Sequence, residues 1–194
     1  MSNTTIVKTY GRRIEIHRDQ DPENPLKDWD CYHDIDFVSF NEHFEELTTL
    51  SISKDEIEVI ARNTKDYYVL PIYFNDLTRE VYIGEKKESE ESEGYIIYKK
   101  KEGILTDEED IEEYLGDVVE ILNAYTTGNV YGYKCIEGEN KVIDSLWGFY
   151  LRSSDDWDEM LADMAYHLEN EWSNILGKEV YYEENNQSDK DHSI

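Results

Sequence analysis

The chain has 194 residues and carries 46 Asp and Glu against 19 Lys and Arg, a net charge of −27. Such a charge repels DNA, RNA and anionic membranes at long range and favours partners with basic surfaces, while the length suffices for one domain with a real core. No apolar run of about 18 residues marks a membrane span; no signal peptide is expected; and two cysteines, Cys31 and Cys135, are too few for a disulfide framework, so an intracellular chain with reduced thiols is expected.

Residues 1–11 read as an arm or an edge strand. Residues 12–19 alternate Ile14 and Ile16 with Glu15 and His17, the two-residue period of a strand. Residues 19–30, DQDPENPLKDWD, are predicted to be an irregular loop, because Pro22 and Pro25 oppose a helix interior and a central strand. A second strand is predicted at 35–40 and a helical turn at 41–47. Ser53 and Glu56 have capping-box spacing, followed by Ile57, Ile60 and Ala61 on one face of a short helix. Residues 67–74, YYVLPIYF, read as a buried strand with Pro71 at an edge or bulge. Asn75 and Asp76 turn the chain into a strand at 80–83.

Residues 85–93, EKKESEESE, form an acidic, exposed loop. Residues 95–100 alternate again and are expected to pair back across it. The clearest helix is predicted at 106–125. Thr106 and Glu109 make its capping box, Ile111, Leu115, Val118, Leu122 and Tyr125 its buried stripe, and Gly128 its stop.

Residues 128–150 organise the chain as a hairpin. Tyr131, Tyr133 and Cys135 alternate with Gly132, Lys134 and Ile136; Ile143, Ser145, Trp147 and Phe149 repeat the pattern beyond a turn at Gly138, Glu139 and Asn140. Gly132 and Gly148 mark a bulge or a close backbone approach. The aromatics are expected in the core; a base-stacking platform would need a basic groove around them. A second long helix starts at Ser154 and ends at Gly177, with Trp157, Leu161, Met164, Leu168, Trp172 and Ile175 as its stripe. A short strand at 179–182 and a polar, disordered tail at 183–194 complete the reading. The fold class is α+β: one domain over 1–182, an antiparallel or mixed sheet carrying two long acidic amphipathic helices and a short one.

Three constellations could carry chemistry. Asp110, Glu113, Asp117 and Glu120 recur at spacings of 3, 4 and 3 opposite the first helix's stripe, and Asp156, Glu159 and Asp163 do so on the second. With Glu90, Glu91 and Glu93 of the acidic loop they are the candidate partner-binding residues. Asp19, Asp21, Asp28 and Asp30 could hold a hard cation, although as a calcium hand this loop puts Asn24 where glycine is required. Glu139 and Lys141, with Asp117, have a nuclease-like composition in a chain whose charge repels that substrate. No catalytic residue and no cofactor is expected: the histidines lack metal-ligand spacing, and no phosphate loop or nucleophile elbow is present.

Two stretches resemble a family of uncharacterised bacteriophage and prophage proteins: Asp19 to Asp30, with Asp21-Pro22, Pro25 and Trp29-Asp30, and Thr127 to Tyr150, which contains TGxVYG and DSxWGFY. They cover about a fifth of the chain. The family continues after Trp-Asp with an Asn-Leu-Gly stretch and a Cys-Phe-His block, where this chain has Cys31, Tyr32, His33 and Asp34. The resemblance implies a phage origin. Charge and origin together lead to the expectation of a non-enzymatic inhibitor in the host cytoplasm that mimics DNA. It would occupy the basic nucleic-acid groove of a host defence protein or ribonucleoprotein complex, of anti-CRISPR or antirestriction type, without binding nucleic acid or membrane itself. A metal-binding protein or metal-dependent enzyme built on the Asp19 to Asp30 loop, and a phage structural or assembly protein, are the alternatives.

Overall fold

The computed structural model describes residues 5–9, 11–84 and 92–176. Glu90 and Glu91, the strand expected at 179–182 and the polar tail at 183–194 lie outside the described residues. Among the described residues the chain is α+β, with two four-stranded sheets where one was expected. The expected domain comprises two compact units. One takes residues 1–20, 130–149 and 155–194, the other residues 21–129 and 150–154.

The first unit holds the sheet β1-β2-β7-β8, built from Thr5–Thr9, Arg12–Arg18, Val130–Glu137 and Lys141–Tyr150. Pairing of β2 with β7 sets Ile14 beside Cys135 and Ile16 beside Tyr133, and all four are buried. The two-residue period therefore lines one face with apolar side chains. The expected second long helix is two helices, α4 (Trp157–His167) and α5 (Asn170–Leu176). The break falls at Leu168, whose backbone is extended (φ −88°, ψ 143°) while its side chain stays buried. Leu161, Met164, Leu168, Trp172 and Ile175 are buried as expected, so the stripe holds although the helix does not.

The hairpin departs from the predicted alternation at Gly148, which adopts φ +88°. A left-handed glycine inserts a bulge and changes the side to which the next residue points. Phe149 is buried and tilted against Tyr133, with ring centroids 5.9 Å apart. Trp147 lies on the other side, over Gly132. Most of β8 is exposed, contrary to the core role expected for Ile143 and Trp147.

The second unit holds the sheet β3-β6-β4-β5, built from Ile35–Ser39, Gly94–Lys99, Tyr67–Asn75 and Glu80–Ile83. Strand β6 pairs with β3 and β4 rather than back onto β5. Pro71 sits where β4 has only β6 beside it, because β5 pairs from Ile72 onward; its missing N–H is harmless on that locally open side. Helix α3 (Glu108–Thr126) covers one face, burying Ile111, Leu115, Val118, Val119 and Leu122 against Phe37, Phe74, Val81, Ile96 and Tyr98. Helix α2 (Lys54–Arg62) covers the other through Ile57 against Val38 and Ile97. Its capping box forms as predicted, whereas Ala61 is exposed.

The predicted loop at 19–30 contains a helical turn, α1 (Pro25–Asp28). Pro25 occupies its first turn, where no backbone N–H is needed, and Asn24 caps it by accepting from the Leu26 amide at 3.0 Å. A Cβ on Gly132 would stand 2.3 Å from Trp147 Cε3 and 2.7 Å from the Leu146 carbonyl oxygen. Gly132→Ala is expected to lower stability by about 1–3 kcal/mol through overpacking, measured by denaturant unfolding with tryptophan fluorescence.

Candidate anionic surface

Helix α3 starts one residue later than predicted. Asp107, not Thr106, is the cap, accepting from the Glu109 amide at 3.0 Å. Glu108, Glu109 and Asp110 in the first turn are favoured by the helix dipole. At the other end Gly128 takes φ +71°, and the Asn129 amide donates to the Ala124 carbonyl at 2.7 Å. A left-handed residue at this position closes the helix and satisfies its last carbonyls.

The apolar stripe fixes the rotation of α3, and one polar side chain fixes it further. The Asn123 side chain accepts from the Val81 amide at 2.6 Å and donates to the Val81 carbonyl at 2.8 Å. That pair of bonds clamps the helix to the edge strand β5 and satisfies backbone groups that an edge leaves open. The opposite side of α3 then faces solvent. Asp110, Glu113, Asp117 and Glu120 are all exposed, and no hydrogen bond or ion pair among the described residues holds their carboxylates.

The flank of the same helix is engaged. Tyr68 donates its hydroxyl to Glu112, and Lys100 approaches Glu108 at 4.0 Å. The field of the acids reaches the neighbouring tyrosines. Burial, the adjoining Cys31, Asp117 and Asp34 push the Tyr32 hydroxyl up to about 12, against an opposing effect of Arg152. Burial, Asp34 and Tyr32 push Tyr114 up further, and Tyr114 donates to Asp34 at 3.2 Å. Tyr125, near the end of α3, is raised by burial and then by Glu46, Asp28 and Asp21. Arg79 opposes these acids, its guanidinium lying 3.4 Å from the Glu46 carboxylate. The sequence groups Asp21 and Asp28 for a cation and assigns Glu46 to no site.

The remaining expected residues are placed differently. Asp156 precedes the first residue of α4 and is partly buried, so it does not stand in a row on that helix. Glu159 and Asp163 are exposed, and Asp163 lies 3.8 Å from the His167 ring. They belong to the first unit and α3 to the second. Glu93 is no free loop charge: it accepts from the Phe74 amide at 3.0 Å and from the Asn41 side chain at 3.2 Å.

Among the described residues, no three of His, Cys, Asp and Glu gather in an arrangement that could hold a metal. Asp28 turns instead to the Asn24 amide, accepting at 2.7 Å. Glu139 lies in the hairpin turn and Lys141 begins β8, both in the first unit, whereas Asp117 lies in the second. Cys31 is exposed and Cys135 buried, and neither is in a disulfide. Burial, with the Asp144 carboxylate, pushes the Cys135 thiol up to about 12, so it stays protonated and inert at neutral pH. No helix is long and apolar enough to cross a membrane among the described residues.

Burial, and after it the nearby negative groups, makes the tyrosine titration a measurable property of the fold. Folded Tyr32 and Tyr133 titrate near 12 rather than at the ordinary 10.0, so folding favours their neutral form. Their contribution to stability is complete below pH 10.0 and is lost as pH rises through about 12. Tyrosinate absorbance is expected to lag that of the urea-unfolded chain across this window, with the melting temperature falling in step. In comparisons with protein-family models, curated proteins and solved structures, nothing matches this chain.

Proposed function

We propose that the protein is a phage-encoded inhibitor whose exposed α3 face occupies the basic nucleic-acid groove of a host defence protein or ribonucleoprotein complex. The single observation that carries this reading is the row Asp110, Glu113, Asp117 and Glu120, held outward by a helix whose opposite stripe is buried. Residues three and four apart on a helix set their Cβ atoms about 5–6 Å apart, of the same order as the roughly 3.4 Å axial repeat of phosphates along one strand of DNA. Like charges at this spacing cost a few tenths of a kcal/mol per pair. A helix stabilised mainly through its packing tolerates that cost, and a cationic groove would relieve it.

A net charge of −27 speeds encounter with a basic partner, while a few buried aromatic or aliphatic anchors supply most of the affinity. The phage assignment rests on the DPxxP, WD, TGxVYG and DSxWGFY stretches. The acids of α4 are secondary in this reading, because Asp156 is drawn into the helix start and Asp163 neighbours His167.

The test is capture from a bacterial host lysate by the immobilised full chain, read by mass spectrometry. Capture of nucleic-acid-binding proteins is expected at low salt. It should be lost when the Debye length is cut to about 3 Å by roughly 1 M salt, and competed away by added DNA or RNA. The variant Asp110→Asn, Glu113→Gln, Asp117→Asn, Glu120→Gln should fold with equal or slightly higher stability and lose at least about tenfold in affinity. Capture indifferent to salt and to that variant would rule the reading out.

A further inference from the structure

Asp34 is a buried carboxylate without a cation. It is 7% exposed, and its side chain accepts one hydrogen bond, from the Tyr114 hydroxyl to Oδ1 at 3.2 Å. Among the described residues no Lys, Arg or His pairs with it. Lys99 is the base beside it, since the Lys99 amide donates to the Asp34 carbonyl at 2.8 Å. The Lys99 ammonium turns elsewhere, to Asp36 at 3.3 Å and to the His33 carbonyl at 3.0 Å. Buried aspartates are almost always paired, because taking a carboxylate out of water is costly unless its lone pairs are met. Oδ2 of Asp34 has no such partner among the described residues, and it is not sealed from solvent.

A run of aromatic rings extends from Tyr114. Its ring centroid is 6.5 Å from that of Tyr32; Tyr32 stacks on Trp29 at 5.9 Å, and Trp29 meets Tyr150 edge-on at 4.9 Å. All four are partly exposed, and all belong to the second unit. Tyr114 is carried by α3, three residues before Asp117 and four after Asp110, so this strip borders the acidic row. Arg152, in the same unit, stands close enough to Tyr32 to act on its hydroxyl. Among the described residues no hydrogen bond or ion pair holds the Arg152 guanidinium.

We infer that Asp34, with Tyr32, Tyr114 and Trp29, receives the guanidinium of an arginine on the basic partner. The inference rests on the α3 reading for the kind of partner and adds the anchor on which that partner is held. A guanidinium is planar, always charged and weakly hydrated; it stacks on aromatic rings, and its forked N–H groups match a carboxylate. An ammonium is a compact, strongly hydrated point charge and fits the same place less well. Arg152 is the chain's own guanidinium near these rings and competes with the incoming one.

The test titrates the full chain into labelled hexa-arginine and, separately, labelled hexalysine at about 0.15 M salt, read by fluorescence anisotropy. Hexa-arginine is expected to bind at least about fivefold tighter. Asp34→Asn keeps the acceptor for Tyr114 and removes the charge. It should erase the preference yet melt at the same temperature or higher, because an unpaired buried charge is lost; an aspartate with a merely structural role would lower the melting temperature. Trp29→Leu should bring the two peptides within about twofold of each other. Arg152→Gln should tighten hexa-arginine at least about twofold, by removing a like charge. Neutralising the row from Asp110 to Glu120 should weaken both peptides and leave arginine ahead. Equal affinity for the two peptides overturns the proposal. So does a preference that survives Asp34→Asn or Trp29→Leu, a melting temperature lowered by Asp34→Asn, or hexa-arginine binding that Arg152→Gln does not tighten. None of these outcomes bears on salt-sensitive capture from lysate, and capture indifferent to salt beside an intact arginine preference would sink the α3 reading alone.

Discussion

The burial of one side of α3 on the second sheet is the constraint from which the anionic surface follows. Ile111, Leu115, Val118 and Leu122 are each at most 1% exposed, and burying side chains of this kind is worth about 1.5–3 kcal/mol apiece. Rotating the helix to hide its carboxylates would expose that stripe and bury several unpaired charges, each far costlier than a lost apolar contact. The Asn123 clamp on Val81 locks the same orientation through two directional bonds. The acidic row is thus an outcome of packing: the core decides which way the helix turns, and the acids take what is left.

Charge is segregated in this molecule rather than spread evenly. Helix α3 carries seven acids and no base within Glu108–Thr126, while the strands of the first unit carry more bases than acids. Repulsion is thereby concentrated on a surface where a cationic partner would relieve it.

Local signals suffice for most groups that act on near neighbours in sequence, the α3 cap at Asp107 rather than Thr106 being the exception. The Ser53 and Glu56 capping box, the stripe of α3, the stop at Gly128 and the turn at Gly138 all depend on groups within a few residues of one another. Most of the departures have the opposite property. Pro25 opposes a helix interior, but Asn24 caps a helix start there while its side chain donates to the distant Glu46 carbonyl at 2.9 Å. The break at Leu168 leaves the apolar stripe intact, so periodicity passes straight through it. The destination of β6 depends on which partner β4 and β3 offer, and no pattern within residues 94–99 records that.

By itself the amino-acid sequence determined the α+β class, the hairpin, the principal helix and the row of carboxylates on it, because spacings of two and of 3.6 residues sort side chains onto faces without reference to the rest of the chain. Only the tertiary structure decided that there are two sheets, that α3 is clamped at Asn123, that Trp147 and Phe149 part company at Gly148, and that β8 is left as an open apolar edge. Those outcomes turn on long-range strand pairing. A strand's pattern tells which of its sides is apolar; it does not say which neighbour, if any, will lie beside it.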